Sequence, residues 1–141
     1  ARSIAARKGD DGVNALLIGE MENELATAQI ALESMIANVN DLDVELGTDR
    51  ANCSLIRKTI VAEAVKRTVE KALEATGGCG YFRASGLERI LRDVEAAQFH
   101  PMQTKKQHSF TGRLAMGLEP IVNNNASLGI ERAMANSNKS D

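Results

Sequence analysis

The segment Gly77-Gly78-Cys79-Gly80-Tyr81 places three glycines within four positions and decides the fold of this chain. Glycine is a poor helix former, and it ends helices by adopting backbone conformations with positive φ. The segment therefore predicts the end of a long helix and a tight turn. It also leaves main-chain N–H groups uncovered, which suits the close approach of a ligand. From spacing alone, the helix end is favoured over a ligand-binding loop, since neither a phosphate-loop ending nor a preceding strand is present.

Apolar residues recur at helical spacing on the upstream side of this turn, from about Asp49 to about Thr76. The predicted buried stripe of this helix consists of Ile56, Ile60, Ala64, Val65, Val69, Ala72 and Leu73. The charged residues between them predict a solvated face. Glu63–Arg67 and Lys66–Glu70 are neighbouring-turn pairs there, worth about 0.3–0.5 kcal/mol each.

An earlier long helix is predicted after the turn Gly9-Asp10-Asp11-Gly12, and it ends near Asn40-Asp41. Its glutamates at positions 20, 24 and 33 are predicted to lie mostly on the face opposite the apolar stripe. That stripe consists of Leu16, Met21, Leu25, Ala28, Leu32, Met35 and Val39.

Two shorter helices are predicted after the glycine turn. Ser85 and Glu88 have the spacing of a capping box, and so do Thr104 and Gln107. The first box begins a helix that contains Leu87, Ile90, Leu91 and Val94, and His100-Pro101 ends it. The second begins a segment that contains Phe110, Leu114 and Met116.

These elements predict an all-α, up-and-down four-helix bundle of two long and two shorter helices. Only 3% of the residues are aromatic and no strand alternation is visible, which agrees with helix-on-helix packing. Residues 1–12 are interpreted as the remnant of a preceding helix and a linker, 13–118 as the bundle, and 119–141 as a flexible tail. The abrupt start of the pattern predicts a piece of a longer protein.

Composition argues against several classes of protein. The formal net charge is −2 without a basic patch, so nucleic acid is not an expected partner. No window has the roughly 18 apolar residues of a membrane span. Cys53 and Cys79 are predicted to be free thiols in a reducing compartment, which means the cytoplasm, or the mitochondrial matrix in a eukaryote. With His100 and His108 they lack the paired spacing of a metal site, so no metal is expected.

The glycine turn, followed by Leu87-Glu88-Arg89 and then Arg92-Asp93, resembles the C-terminal domain of acyl-CoA dehydrogenases over about residues 13–117. The resemblance implies a helical domain that packs against an N-terminal helical domain and a β-domain, with flavin adenine dinucleotide (FAD) at their interfaces. It implies that Gly77, Gly78 and Gly80 contact the cofactor. It also implies a homo-oligomer, dimer or tetramer, with an acyl-CoA substrate and an electron acceptor.

Three positions depart from the pattern of that family. Glu74 stands where a glutamine often contacts the cofactor, and a carboxylate would repel a diphosphate. The family's Arg-x-x-Phe-Gly segment is missing from residues 6–11, or the loop there is shortened. Pro101 occupies the position of the usual catalytic glutamate, and Glu95 comes too early in the chain to replace it. Either the base lies outside this chain, or the chemistry differs.

His100 supports different chemistry, since flavin monooxygenases of similar fold use a histidine in this loop. An imidazole transfers protons near neutral pH. The alternative is a helix-end histidine that caps carbonyl groups. His108 is interpreted as a surface residue, Cys79 as a small packing residue, and Arg92-Asp93 as a structural ion pair.

Three functions follow from these observations. The first is an FAD-dependent acyl-CoA dehydrogenase-like oxidoreductase that forms an α,β double bond in acyl thioesters. The second is a flavin-dependent monooxygenase of the same fold that uses His100. The third is a helical oligomerisation module without catalysis. In each case the chain by itself is expected to be inactive and to self-associate, most simply as a dimer, through exposed apolar surface.

Overall fold

The computed structural model describes residues 2–3, 12–39 and 47–121, and every regular element in these ranges is helical. The α-helices are α1 (Gly12–Val39), α2 (Thr48–Thr76), α3 (Gly78–Tyr81), α4 (Leu87–Glu95) and α5 (Thr104–Ala115). Short 3₁₀ turns span Arg83–Ser85 and Ala96–Gln98. The all-α prediction is therefore confirmed, and none of these helices is long and apolar enough to cross a membrane.

Several predictions concern residues outside the described ranges. They are the remnant of a preceding helix over most of residues 1–12, the turn that begins at Gly9, the helix end at Asn40-Asp41, and most of the tail from 119 to 141.

The chain divides into two compact units, Ala1–Gln107 and His108–Asp141. In the first unit, α1 and α2 run antiparallel, because residues late in α1 lie beside residues early in α2. Asn38 Nδ2 donates to Ser54 Oγ at 3.2 Å, whereas Glu20 near the start of α1 pairs with Lys71 near the end of α2.

Small residues line the contact between the two long helices. Ala28 and Ala31 of α1 are buried, as are Ala64 and Ala75 of α2, and small side chains allow helix axes to approach closely. Near the glycine turn, Met21, Ala72 and Leu87 form the buried core cluster, with Ile18 and Leu73 packed against it. This cluster joins α1, α2 and the start of α4, so it holds the turn between them.

The face of α1 next to α2 also carries charged residues. Two of them, Glu20 and Glu24, were expected on the opposite face. Arg67 Nε lies 2.8 Å from Glu24 Oε2, and Lys71 Nζ lies 2.9 Å from Glu20 Oε2. Both glutamates therefore lie beside α2 and are not on the far face. Antiparallel packing brings cations from the second half of α2 to acids in the first half of α1, which helical spacing alone cannot reveal.

The predicted apolar stripes are correct at their centres and wrong at some of their members. Met21, Ala28, Ala64, Val69 and Ala72 are buried. Several predicted core residues are exposed instead. They are Leu16, Leu32, Ile60, Ile90 and, beyond Gln107, Met116.

Neither predicted capping box forms, although both helices begin close to the predicted positions. At α4 the N-cap is Gly86, with φ of 71°, which has no side chain to cap the helix. The Ser85 hydroxyl instead donates to Gly80 O at 2.9 Å and accepts from Leu87 N at 3.3 Å. Thr104 lies inside α5, so its hydroxyl donates backwards to Gln98 O at 3.3 Å. The Ser85 hydroxyl thus accepts from Leu87 N and not from Glu88 N as a capping box requires, and the Thr104 hydroxyl donates to the preceding turn.

The second unit is described from His108 to Ile121. It contains the remainder of α5, in which Phe110 is buried. The helix ends at Ala115, and Gly117, two residues later, has φ of 71°. Gly117 N donates to Leu114 O at 2.9 Å, and Leu118 N donates to Arg113 O at 2.9 Å, which satisfies the last carbonyl groups of the helix.

Candidate functional site

The glycine turn ends α2 as the sequence predicts, and one glycine provides the unusual backbone conformation. Gly77 has φ of 58° and ψ of −144°, and its N–H donates to Leu73 O at 2.8 Å. Gly78 and Gly80 have no positive φ, because Gly78–Tyr81 forms a short helical turn. Gly80 N donates a hydrogen bond to Gly77 O at 2.8 Å in this turn. Within this turn, therefore, the positive φ by which glycine ends a helix is found at Gly77.

The outer side of the turn is open main chain. Gly77 and Gly78 are both exposed, and a Cβ built on Gly78 would meet nothing within 4 Å. Cys79 is exposed as well, so its interpretation as a packing residue is wrong. Its side chain points away from the core because the buried position of the turn is taken by Gly80.

The inner side of the turn is closed by the chain itself. Gly80 is buried against the side chains of Thr76 and Leu73, which leave no room for a Cβ. Packing within the chain therefore requires glycine at position 80, whereas it does not require glycine at position 78. The sequence could not separate these roles, because three glycines look alike until their neighbours are known.

An open groove follows the turn directly and has a volume of about 350 Å³. It is lined by Tyr81, Phe82, Arg83, Glu88 and Arg92. The two aromatic rings meet edge to face with centroids 6.4 Å apart, and Tyr81 and Phe82 are 82% and 66% exposed. Exposed aromatic rings of this size are unusual on a free surface, so the groove is a candidate contact surface.

The charges in this groove are of mixed sign. Arg92 Nη1 lies 3.9 Å from Glu88 Oε2, and Arg83 Nε lies 4.0 Å from Glu88 Oε1. The groove lining thus contains two guanidinium groups and one carboxylate, and Arg92 Nε also lies 4.0 Å from Asp93 Oδ1. Sequence reasoning missed this groove, although Tyr81-Phe82 directly after three glycines was a signal for it.

Glu74 lies one turn before the glycines and is paired with Lys71. Lys71 Nζ lies 3.0 Å from Glu74 Oε2 and 2.9 Å from Glu20 Oε2. Hydrogen bonds to Glu20 and then to Glu74 raise the pKa of Lys71 above its ordinary value, so the ammonium stays charged. The carboxylate at Glu74 is therefore partly compensated within the chain, which reduces the repulsion expected from the sequence.

His100 lies at the opposite end of α4 from the glycine turn. The nine residues of α4 span about 13 Å, so the two features are separate parts of the surface. The His100 side chain is exposed and makes no hydrogen bond to the described part of the chain, so the expected capping of carbonyl groups is not formed. Phe99 beside it is also exposed, by 60%.

The carboxylate nearest to this loop in sequence is engaged elsewhere. Lys66 Nζ lies 2.8 Å from Glu95 Oε1, and Gln98 Nε2 donates to Glu95 Oε2 at 2.8 Å. The hydrogen bond with Glu95 raises the pKa of Lys66, which indicates that the pair is charged. Glu95 therefore ties α4 to α2.

The other candidate residues from the sequence, Asp93 and His108, lie outside the glycine turn and the groove lining. Asp93 lies 4.0 Å from both Arg92 Nε and Arg89 Nε, so this acid pairs within its own helix. His108 is exposed on α5, as predicted. Among residues 2–3, 12–39 and 47–121, no group of three His, Cys, Asp or Glu side chains is arranged to hold a metal ion.

One comparison with known proteins gives a match. The model of the family described as "Acyl-CoA dehydrogenase, C-terminal domain" matches residues 2–105. This range covers most of the chain and contains both long helices, the glycine turn, the groove and His100. No curated protein and no solved structure matches the chain significantly.

Proposed function

Because this chain belongs to the family of acyl-CoA dehydrogenase C-terminal domains, we propose that it serves a flavin-dependent oxidoreductase that forms an α,β double bond in acyl thioesters. In that enzyme the chain contributes one wall of the flavin site and part of a subunit interface. α1, α2, α4 and α5 would then belong to an up-and-down bundle. The parent enzyme would work as a homo-oligomer, dimer or tetramer, on acyl-CoA and an electron acceptor.

The open main chain at Gly77 and Gly78 carries this proposal. A flavin held largely by other parts of the enzyme needs a surface without side chains to approach, and Gly78 has free space on its outer side. Gly80 belongs to the same site through the shape of the turn, since its packing on Thr76 fixes where Gly77 and Gly78 lie. Gly77 and Gly78 would therefore present open main chain to the flavin, and Gly80 would hold that main chain in place.

The surroundings of the turn fit an anionic dinucleotide such as FAD. Arg83 and Arg92 place guanidinium groups in the adjoining groove, and guanidinium is a good donor to phosphate. Lys71, which also pairs with Glu20, offsets part of the charge of Glu74. Bound FAD would supply the hydride acceptor of the reaction. The chain's own part is to present main chain and positive charge and to exclude water from one side of the cofactor.

The chain alone is expected to be inactive. One turn and one open groove offer a flavin a small share of the contacts it needs. The exposed aromatic rings of Tyr81 and Phe82 would be covered when other domains or subunits are in place.

A second candidate function is supported by His100 and Pro101. Proline cannot act as a base, both oxygens of Glu95 are engaged, and the exposed imidazole of His100 has no described partner. These observations favour a flavin-dependent monooxygenase of the same fold, in which His100 moves a proton to or from the substrate. Oxidation of acyl-CoA with an artificial electron acceptor, against oxygen-dependent hydroxylation with added reduced flavin, separates the two reactions.

Substitution of Gly78 tests the flavin proposal itself. Gly78→Val places a branched side chain on the open side of the turn, where this chain has room for it. In the enzyme that carries this domain, we expect FAD affinity to fall at least tenfold in a fluorescence titration, while the melting temperature is retained.

The matched control is Gly47→Val, which adds the same side chain at an exposed glycine with equally open space. If both variants bind FAD as tightly as the parent enzyme, the glycine turn does not face the flavin. The third function, an oligomerisation module without catalysis, would then be preferred.

A further inference from the structure

Asn14 lies in the first turn of α1, and its amide group is buried without a hydrogen bond. The residue is 9% exposed, and its Nδ2 has no partner in the part of the chain that the structure describes. An enclosed donor without an acceptor costs free energy, because it has given up its hydrogen bonds to water. Buried polar groups in native proteins are nearly always paired, so this amide needs an acceptor that the described residues do not supply.

The packing of α1 on α2 places Asn14 at the level of the glycine turn. Glu20 lies beside Lys71, and the antiparallel register continues in step towards the far end of α1. Asn14 precedes Glu20 by six residues. Gly77 follows Lys71 by six residues, so the two lie at the same level. Ile18, one turn after Asn14 on the same face, packs against the core cluster that joins α1, α2 and the start of α4. The amide is therefore buried on the side of α1 that meets the turn.

The charges at this end of the two long helices disfavour an anion. Lys71 is the cation of both Glu20 and Glu74, so one carboxylate charge is left without compensation. The end of α2 adds the negative end of its helix dipole. A phosphate group would be repelled here, whereas an uncharged acceptor, such as a carbonyl oxygen or a ring nitrogen, would not.

We propose that the Asn14 amide donates a hydrogen bond to an uncharged ring acceptor of the ligand at the glycine turn, while the ligand's phosphates lie in the groove beside Arg83 and Arg92. The proposal rests on the proposed function, and it adds a binding residue from α1 to the flavin site. Both halves of FAD carry such an acceptor, since the flavin ring has carbonyl groups and adenine has ring nitrogens. The orphaned amide thus sets which end of the ligand lies at the turn.

The stability of the chain separates a binding role of Asn14 from a structural one. Asn14→Leu and Asn14→Ala both remove an unpaired buried donor, so at least one of them should keep or raise the urea midpoint of the parent chain. Thr59→Val is the matched control. Thr59 is 4% exposed, its Oγ1 also lacks a partner among the described residues, and it lies about 27 Å along α2 from Gly77. A lower midpoint for both Asn14 variants would mean that the chain itself uses the amide, and would overturn the proposal.

Flavin affinity tests the contact directly. In the enzyme that carries this domain, we expect the stable Asn14 variant to raise the dissociation constant for FAD about tenfold, the usual loss for one hydrogen bond. Thr59→Val should leave this constant unchanged. If the Asn14 variant binds FAD as the parent enzyme does and Gly78→Val does not, the proposal is overturned and the glycine turn remains the flavin surface. If Gly78→Val also binds normally, the proposed function fails as well.

Titrations with flavin mononucleotide (FMN) and with ADP determine which half of FAD meets Asn14. FMN carries the flavin ring and ADP carries adenine, and both have phosphate for the groove. The stable Asn14 variant should lose affinity for one of them and keep it for the other. A loss for FMN assigns the acceptor to the flavin ring, and a loss for ADP assigns it to adenine. Equal losses for both ligands, or no loss for either, would overturn the proposal.

Discussion

A Cβ atom added to Gly80 would lie 2.3 Å from Thr76 Oγ1. The hydroxyl cannot easily move, because Thr76 is fully buried and the single proton on its Oγ1 is shared between Ala72 O at 3.0 Å and Leu73 O at 3.1 Å. The last turn of α2 and the glycine turn are thereby locked together. This contact fixes where the open main chain of Gly77 and Gly78 is presented.

Gly80→Ala is expected to destabilise the chain by about 1–3 kcal/mol, the usual cost of adding atoms to a packed site. Urea unfolding followed by circular dichroism measures the loss. Gly78→Ala is the control, with a change below about 1 kcal/mol, since its side chain enters open space. Adding Thr76→Ala to Gly80→Ala should recover part of the loss. Equal midpoints for Gly78→Ala and Gly80→Ala would contradict the locked contact.

Gly77→Ala is expected to cost about 1–3 kcal/mol for a different reason, namely backbone strain. Gly77 has φ of 58° and ψ of −144°, a region that residues with a side chain rarely adopt. Gly47→Ala is the comparison, because its φ of −162° is ordinary extended backbone. Both free energies of unfolding come from urea titrations. A Gly77→Ala chain as stable as Gly47→Ala would show that the turn relaxes without cost.

The pairing of Arg2 with Glu22 predicts a dependence of stability on pH. The hydrogen bond from Arg2 lowers the folded-state pKa of Glu22 below its ordinary value of 4.5. This stabilisation is therefore present at neutral pH and is lost as the pH falls through the folded-state pKa, below that value. Arg2→Gln should be less stable than the parent chain at pH 7, and the difference should vanish in the acid range.

Carbon-13 NMR of the Glu22 carboxyl group provides the direct measurement. Its pKa should rise in Arg2→Gln and stay depressed in Lys105→Gln, which removes one exposed positive charge elsewhere. An unchanged pKa of Glu22 in Arg2→Gln would mean that the two side chains do not pair in solution.

The two candidate reactions make opposite predictions for His100. If the parent enzyme is a monooxygenase, His100→Ala should reduce oxygen-dependent turnover about 10²-fold or more, the usual contribution of a positioned acid or base. Flavin affinity should be retained. His108→Ala is the control, as an exposed histidine on α5. Full turnover in His100→Ala would remove this residue from the mechanism and leave desaturation by a base from another part of the enzyme.

The sequence by itself determined the all-helical class and the bounds of the second long helix. Helical spacing of apolar residues and the glycines at position 77 onward are local signals, so the bounds of α2 agreed with prediction to about one residue. The same signals carried the resemblance to the acyl-CoA dehydrogenase family, which the family match confirms.

Only the tertiary structure decided which residues of each kind face which neighbour. It separated Gly80, held against Thr76, from Gly78, which is open, and it turned Glu20 and Glu24 towards cations on α2. It also directed the Ser85 hydroxyl to Gly80 O as donor and to Leu87 N as acceptor, in place of the expected bond with Glu88 N. These outcomes depend on contacts between residues distant in sequence or across a turn, and a pattern read along one helix carries no information about the partner that packs against it.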